Sequence, residues 1–272
     1  MKISVLGCGW LGFPVAQQLL KNSYIVQGST TTKKKISLLK NSGITPYLIE
    51  IPDTLVNPEN SSFWDSDILF LNIPPARRKY EGRMDYPERV QLVVNEAKKG
   101  SIQWIIFASS TSVYGRAGGV VSEEDVKEEL VKNYSGEDIF RAEKVISQSP
   151  FDFTILRFGG LYGYDRHPVN HLSGKKNLSG ADKPINLVHR EDCISVFEAV
   201  LLKEKRNTIY NVVSDGHPPR KEFYQCAANH LDLPLPRFND EKSENNKVIS
   251  NLKLKRELDY TFSYPNPMDH TP

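Results

Sequence analysis

The clearest chemistry in the chain lies in Gly7-Cys8-Gly9-Trp10-Leu11-Gly12, three glycines spaced so that backbone N–H groups can grip a phosphate. They follow a short apolar run, Ile3-Ser4-Val5-Leu6, and open a stretch from Phe13 to Leu20 that reads as a helix. In a strand–turn–helix of this kind Gly7 permits the tight turn, Gly9 admits a pyrophosphate to the backbone, and Gly12 lets the helix pack close on the strand. The anion then rests on N–H groups at the positive end of the helix. Pro14 falls early in that helix, where its missing N–H costs little. Trp10 and Leu11 complete the turn and are expected, with the three glycines, to line a dinucleotide.

The elements that follow decide which dinucleotide. Tyr24 to Gly28 reads as a second strand, ending in Ser29-Thr30-Thr31-Thr32 and then Lys33, Lys34 and Lys35. An acidic residue here would pair with the ribose 2′-OH of NAD, whereas hydroxyl and basic side chains suit the 2′-phosphate of NADP. No acidic residue precedes Glu50. NADP is therefore expected ahead of NAD, with Ser29, Thr30, Thr31 and Lys33 around its phosphate. The bland alternative is that the lysines are the solvated first turn of the next helix.

Tyr47 to Ile51 reads as a third strand and Asp67 to Ile73 as a fourth. Pro74-Pro75 stops the fourth, and this wall adds Ile73 and Pro74 to the expected cofactor contacts. Arg77, Arg78, Lys79 and Arg83 form a basic loop, either a solvated segment, the preferred reading, or a lid over phosphates. A helix from about Tyr86 to Lys99 leads to a fifth strand, Gln103 to Ala108, whose end places Ser109 beside the cofactor. Strands alternating with helices at this spacing predict an α/β fold with a doubly wound, parallel, Rossmann-type sheet. Residues 1–160 are expected as the NAD(P)-binding domain and 161–272 as a smaller substrate-side region interleaved with the sheet.

Composition excludes several alternatives. The 272 residues are 39% hydrophobic and 25% charged with a net charge of +2, the profile of an ordinary globular enzyme-sized chain. Basic residues are spread through both halves without interleaved aromatics, so nucleic acid is not an expected partner. Cys8, Cys193 and Cys226 lie far apart, which suits reduced cytoplasmic thiols better than a disulfide frame or a metal site. The start, Met1-Lys2 and an apolar run, mimics a secretory signal, but the glycine spacing and the lack of a small-x-small cleavage site favour a Rossmann strand. Nothing later is long enough to span a membrane.

Ser109-Ser110-Thr111-Ser112-Val113-Tyr114-Gly115, Leu156-Arg157 with Leu161-Tyr162-Gly163, and Val188-His189-Arg190-Glu191-Asp192 together resemble the extended short-chain dehydrogenase/reductases, which include nucleotide-sugar epimerases, dehydratases and reductases. The resemblance covers most of the chain. Arg166-His167-Pro168, Gly174-Lys175, Asn186 to His189, Ile209-Tyr210-Asn211, His217-Pro218 with Arg220, and Tyr264 to Pro267 narrow it to an atypical, YeeZ-like subgroup of nucleoside-diphosphate-sugar epimerase relatives. The resemblance implies that Ser110, four places before Tyr114, holds the reacting oxygen of a small-molecule substrate such as a nucleotide-sugar. It also implies pairing as a homodimer.

In that family a Tyr-x-x-x-Lys pair on the next helix moves the proton, the four-residue spacing placing both on one face. This chain reads Tyr134-Ser135-Gly136-Glu137-Asp138-Ile139-Phe140-Arg141-Ala142-Glu143-Lys144, without the pair. One register puts Phe140 and Lys144 in the two places. The other, preferred because it aligns Glu143 with a family glutamate and gives a familiar interval to Arg157, puts Ser135 in the Tyr place and Ile139 in the Lys place. A phenyl ring has no proton to give, and a serine hydroxyl is too weak an acid to replace a tuned phenol. Tyr114, Tyr134, Tyr162, His167 and His189 are the alternative acids, each with a packing role as its plain reading.

Further along, a helix is expected over Arg190 to Lys203, a strand over Thr208 to Val213 and a helix over Arg220 to Leu231. Arg166, His167, Lys175, His189 and Arg220 are candidates to meet an anionic substrate. The expectation is an NADP-dependent oxidoreductase or epimerase with a non-standard acid. The competing expectation is a catalytically silent NADP(H)-binding sensor or scaffold, favoured by the lost pair beside an intact glycine turn.

Overall fold

The computed structural model of the chain describes residues 1–51, 58–75, 84–133, 135–241 and 246–269. Its strands are β1 (Lys2–Leu6), β2 (Ile25–Thr30), β3 (Thr45–Leu48), β4 (Ile68–Leu71), β5 (Trp104–Ser110), β6 (Gly119–Val121), β7 (Asp152–Phe158), β8 (Gly160–Tyr162), β9 (Leu187–His189), β10 (Thr208–Val212) and β11 (Lys247–Ile249). Its helices are α1 (Gly12–Lys21), α2 (Ile36–Asn41), α3 (Tyr86–Ala97), α4 (Glu128–Val131), α5 (Glu137–Ser147), α6 (Arg190–Leu202), α7 (Arg220–His230) and α8 (Leu252–Leu258). Seven strands form one sheet in the order β10-β7-β5-β4-β1-β2-β3, and β8-β9 and β6-β11 form two-stranded sheets. The pairs β1-β2, β1-β4, β2-β3 and β4-β5 are parallel, the pattern of a Rossmann-like α/β sheet.

The central strands are buried on both faces, so they read as unbroken apolar runs: Ile68 to Leu71 and Trp104 to Phe107 are all buried. Helix α1 buries Gly12, Val15, Ala16 and Leu19, a stripe at helical spacing, and leaves its other face to solvent. Helix α3 starts where a capping box dictates: the Asp85 carboxylate accepts the Glu88 N–H at 2.9 Å and Glu88 returns the favour to the Asp85 N–H at 3.0 Å.

Several boundaries differ from expectation by a residue or more, and two of them bear on the sheet's edge and the glycine turn. Strand β2 runs two residues past Gly28, so Ser29 and Thr30 lie in the strand and are buried. Strand β3 begins at Thr45, ahead of the expected Tyr47, and includes Pro46. It is the last strand of the sheet, where a proline's missing N–H breaks no ladder. The Ile49 N–H donates inward to the Thr30 carbonyl at 3.1 Å, and alternate residues share a direction, so Pro46 faces outward.

The chain divides into two compact units. The first comprises Met1–Ser109, Ser135–Leu156 and Val200–Ile209; the second comprises Ser110–Tyr134, Arg157–Ala199 and Tyr210–Pro272. Among the described residues no helix is long and apolar enough to cross a membrane.

Candidate functional site

In the first unit the glycine turn sits at the C-terminal end of β1, held from both sides. The Gly7 N–H donates to Ser29 Oγ at 2.9 Å, the Cys8 N–H to the Ser29 carbonyl at 2.8 Å, and Asn72 Nδ2 to the Gly7 carbonyl at 3.0 Å. Gly7 takes φ +106°, and a Cβ there would stand 2.5 Å from the Asn72 carbonyl oxygen, so only glycine fits. A Cβ on Gly12 would run into the Gly7 carbonyl oxygen, the close helix–strand approach expected of the third glycine.

Gly9 is different. It is exposed, and a Cβ built on it meets no atom within 4 Å. No neighbour among the described residues requires a glycine there, three residues before α1 begins. The N–H groups of Leu11 and Gly12 find no acceptor among the described residues, and Pro14 has none to offer. Open space beside two unspent donors at a helix start suits a pyrophosphate. Trp10 is half-buried at the rim of the turn. Cys8, by contrast, is buried with its thiol pushed up to about 12 by burial, which makes it a small packing residue and not a nucleophile.

The other expected cofactor residues divide by exposure. Ser29 braces the turn, and Thr30, also buried, accepts the Thr32 N–H on Oγ1 at 3.1 Å. Thr31 and Lys33 are exposed just beyond the strand end, Lys33 opening a short 3₁₀ turn with Lys34 and Lys35. Ile73 follows β4, its Cγ2 lying 3.6 Å from a Cβ built on Gly7, and its carbonyl accepts the Tyr86 hydroxyl at 2.9 Å. Pro74 is exposed next to it. The basic loop of Arg77, Arg78, Lys79 and Arg83 lies outside the described residues, as does Tyr134.

Ser109 ends its side chain on a buried carboxylate: its Oγ donates to Glu143 Oε1 at 2.5 Å. Glu143 belongs to the buried stripe of α5, with Ile139, Ala142 and Ile146. Phe140 and Lys144 share an adjacent face, the ammonium 4.6 Å from the ring centroid. Ser135 is exposed and precedes the helix, whose N-cap is Gly136.

In the second unit Ser110 is half-buried, and its Oγ accepts the Ser112 N–H at 3.2 Å while keeping its own proton. Tyr114 is fully buried. Its hydroxyl donates to Asn211 Oδ1 at 2.6 Å and accepts from Arg157 Nη1 at 3.0 Å, and Arg157 also reaches the Glu123 carbonyl at 2.8 Å. Burial pushes the phenol up to about 12 despite the nearby guanidinium. These contacts make Tyr114 the hub of a polar knot that fixes its loop.

The remaining acids are equally constrained. Tyr162 is buried, its hydroxyl without a hydrogen-bond partner among the described residues, and burial raises it well above the usual phenol range. His167 Nδ1 accepts the Val169 N–H at 3.2 Å, and burial lowers the ring to about 4, so it is neutral at physiological pH. His189 stacks on Tyr264 at 3.6 Å and accepts the Glu191 N–H at 3.3 Å. Gly163, at φ +128°, makes room for that ring: a Cβ there would lie 2.5 Å from His189 Nε2. The buried Asp192 carboxylate holds Tyr264 in place through its N–H at 3.0 Å and also accepts from the Ser263 N–H and the Tyr260 hydroxyl, each at 2.8 Å. Asn72 drew no reading from sequence, and Asn211 and Asp192 entered only as members of motifs with no role of their own, because their partners are remote in the chain.

Comparison with known proteins agrees with this geometry. A family model described as NAD(P)H-binding matches residues 7–201. Protein YeeZ of Escherichia coli K12 is 35% identical over 271 residues, covering 98% of this chain and 97% of the relative. The structure of UDP-glucuronic acid 4-epimerase from Bacillus cereus in complex with NAD superposes with a TM-score of 0.78 at 20% identity, covering 97% of this chain and 94% of that one. The UDP-glucose 4-epimerase from Thermotoga maritima with UDP-glucose gives a TM-score of 0.79 at 15% identity, covering 100% and 97%. The last two share the fold with this chain.

Proposed function

This chain belongs to the NAD(P)H-binding family, in a YeeZ-like branch of the epimerase/dehydratase-type short-chain dehydrogenase/reductases, and from that premise we propose that it is an NADP-dependent oxidoreductase or epimerase acting on a nucleotide-sugar or a related hydroxy/keto compound. The observation that carries the cofactor half is the space over Gly9 beside the N–H groups of Leu11 and Gly12. Preference for NADP rests on Thr31 and Lys33, exposed at the end of β2 with no carboxylate nearby in sequence to repel a 2′-phosphate.

When bound, the nicotinamide supplies or accepts a hydride at a substrate carbon. The chain's part is to hold the substrate oxygen and handle its proton. Ser110 retains a hydroxyl proton to donate to that oxygen, and its orientation is fixed by the Ser112 N–H. On the preferred register Ser135, exposed ahead of α5, takes the place of the family's tyrosine as a hydrogen-bonding hydroxyl. Ser109 braces the end of β5 through Glu143.

One observation favours a second reading, a silent NADP(H) sensor. Phe140 stands four residues before Lys144 on α5, so the lysine rests on a ring with no proton. Titration with NADPH and NADH, followed by nicotinamide fluorescence, tests the cofactor reading: NADPH is expected to bind at least tenfold tighter, and Lys33→Ala to remove that preference. Failure of both nucleotides to bind overturns it. Oxidation of bound NADPH by keto-sugar nucleotides separates the enzyme from the sensor.

A further inference from the structure

The segment 263–269 comes after α8 and lies on the surface of the second unit. Phe262 is buried and the Tyr260 hydroxyl donates to Asp192 Oδ1 at 2.8 Å, which anchors the chain just ahead of it. From there exposed Ser263 and Pro265 alternate with half-buried Tyr264, Asn266 and Met268, the period of an extended chain laid on a surface, with Pro267 buried as well. Pro265 and Pro267 fix their own φ and hold the residues before them extended, so the segment keeps its shape docked or undocked.

Its fastenings are specific. The Ser263 and Tyr264 N–H groups donate to the two oxygens of the buried Asp192 carboxylate at 2.8 and 3.0 Å, and the Pro265 carbonyl accepts the Gly216 N–H at 2.8 Å. The Tyr264 ring stacks on His189 with centroids 3.6 Å apart. Asn266 closes over Gly216 so tightly that a Cβ there would stand 2.9 Å from its Oδ1 and 3.2 Å from its Cα. Met268 packs against the buried cluster of Tyr162, Ile185, Leu187 and Phe223. Tyr162 and His189 are register partners in the β8-β9 pair, so the segment rests on adjacent places of one small sheet.

Two features set this cover apart from a fixed piece of core. The Tyr162 hydroxyl is buried with no hydrogen-bond partner among the described residues, and burial, followed by Asp192 and by Tyr264 and Asp269 of the segment itself, raises the phenol above its usual range. A hydroxyl kept dry costs free energy that is recovered once water reaches it, so the docked form is held less firmly than its contacts alone would hold it. The segment also lays down little apolar surface, since Ser263, Pro265 and Asp269 are exposed. Segments with few buried apolar contacts open locally while the core stays folded.

We infer that residues 263–269 are a strap, closed here and hinged at Phe262, that lifts from the β8-β9 pair as one piece while the rest of the second unit stays folded. Opening uncovers the face of His189 on which Tyr264 lies and lets water reach the Tyr162 hydroxyl. The closed form withholds both side chains from solvent. The inference goes beyond the proposed function and needs no nucleotide.

The test is native-state hydrogen exchange of the full chain, read residue by residue by NMR over a series of low urea concentrations. The N–H groups of Ser263, Tyr264 and Gly216 report the strap, and those of Val196 and Phe197, buried in α6, report the core of the same unit. The strap groups are expected to exchange at least a hundredfold faster than the core groups, at one shared opening equilibrium and with little dependence on urea. Exchange at the core rate with the core's urea dependence overturns the strap, because the segment then opens only when the unit unfolds. Unrelated opening equilibria at the three groups overturn its motion as one piece. Gly216→Val forces a side chain against Asn266 and is expected to speed exchange at Ser263 and Tyr264 at least tenfold with Val196 and Phe197 unchanged. If that variant does not fold, Tyr264→Ala, which removes the stack on His189, takes its place with the same expectation. Unchanged exchange at Ser263 in the folded variant overturns the fastening, and the wild-type comparison stands without either substitution.

Discussion

The Ser109 hydroxyl donates to the buried Glu143 carboxylate at 2.5 Å, tying the end of β5 to the inner face of α5. Glu143→Leu leaves that hydroxyl without its acceptor and is expected to destabilise the first unit by about 1–3 kcal/mol. Glu143→Gln keeps an acceptor oxygen and is expected to cost less than half as much. Urea denaturation of the three proteins checks the order; equal stability of the leucine variant and wild type refutes it.

The three glycines of the turn are not equivalent. Gly9→Val places a side chain in open space and is expected to leave stability within about 0.5 kcal/mol of wild type, as for a surface substitution. The same side chain occupies the ground a pyrophosphate needs, so NADPH affinity falls at least tenfold. Gly7→Ala does the reverse damage, forcing φ +106° on a Cβ only 2.5 Å from the Asn72 carbonyl oxygen, and lowers the melting temperature. A Gly9→Val protein that binds NADPH normally would place the cofactor elsewhere.

His167 gives the second unit a pH dependence. Burial lowers its folded-state pKa to about 4, from the ordinary histidine value of about 6.5. The neutral ring is favoured by the fold, so the stabilisation is complete above the unfolded value and is lost as pH falls toward the folded one. The window runs from about 6.5 down to about 4, with a total of up to about 3 kcal/mol. His167→Phe is expected to flatten the denaturation midpoint across that window, and an unchanged slope would count against a buried neutral ring.

How much of this was legible in the sequence depended on the reach of each contact. The glycine turn was readable because its strand, turn and helix are consecutive, and α1 shows its buried stripe in the spacing of Val15, Ala16 and Leu19. Aligning Glu143 with a family glutamate picked out a residue that the structure buries against Ser109. The polar knot around Tyr114 was out of reach because the groups that engage its hydroxyl, Asn211 and Arg157, stand 97 and 43 residues away. The Asn72 clamp on Gly7 crosses 65 residues and was invisible for the same reason. Strand β3 was shifted because a proline inside a run argues against a strand until the run is known to be an edge.

That edge proline also bears on how copies of this protein behave toward one another. Pro46 turns its ring nitrogen away from β2, at the margin where a foreign strand would dock. A docking strand needs a donor at each outward position, and here one is deleted and replaced by a ring. At the next outward position the Leu48 carbonyl already accepts Asn60 Nδ2 at 3.1 Å, so at both places β3 withholds from a foreign strand the group it would pair with.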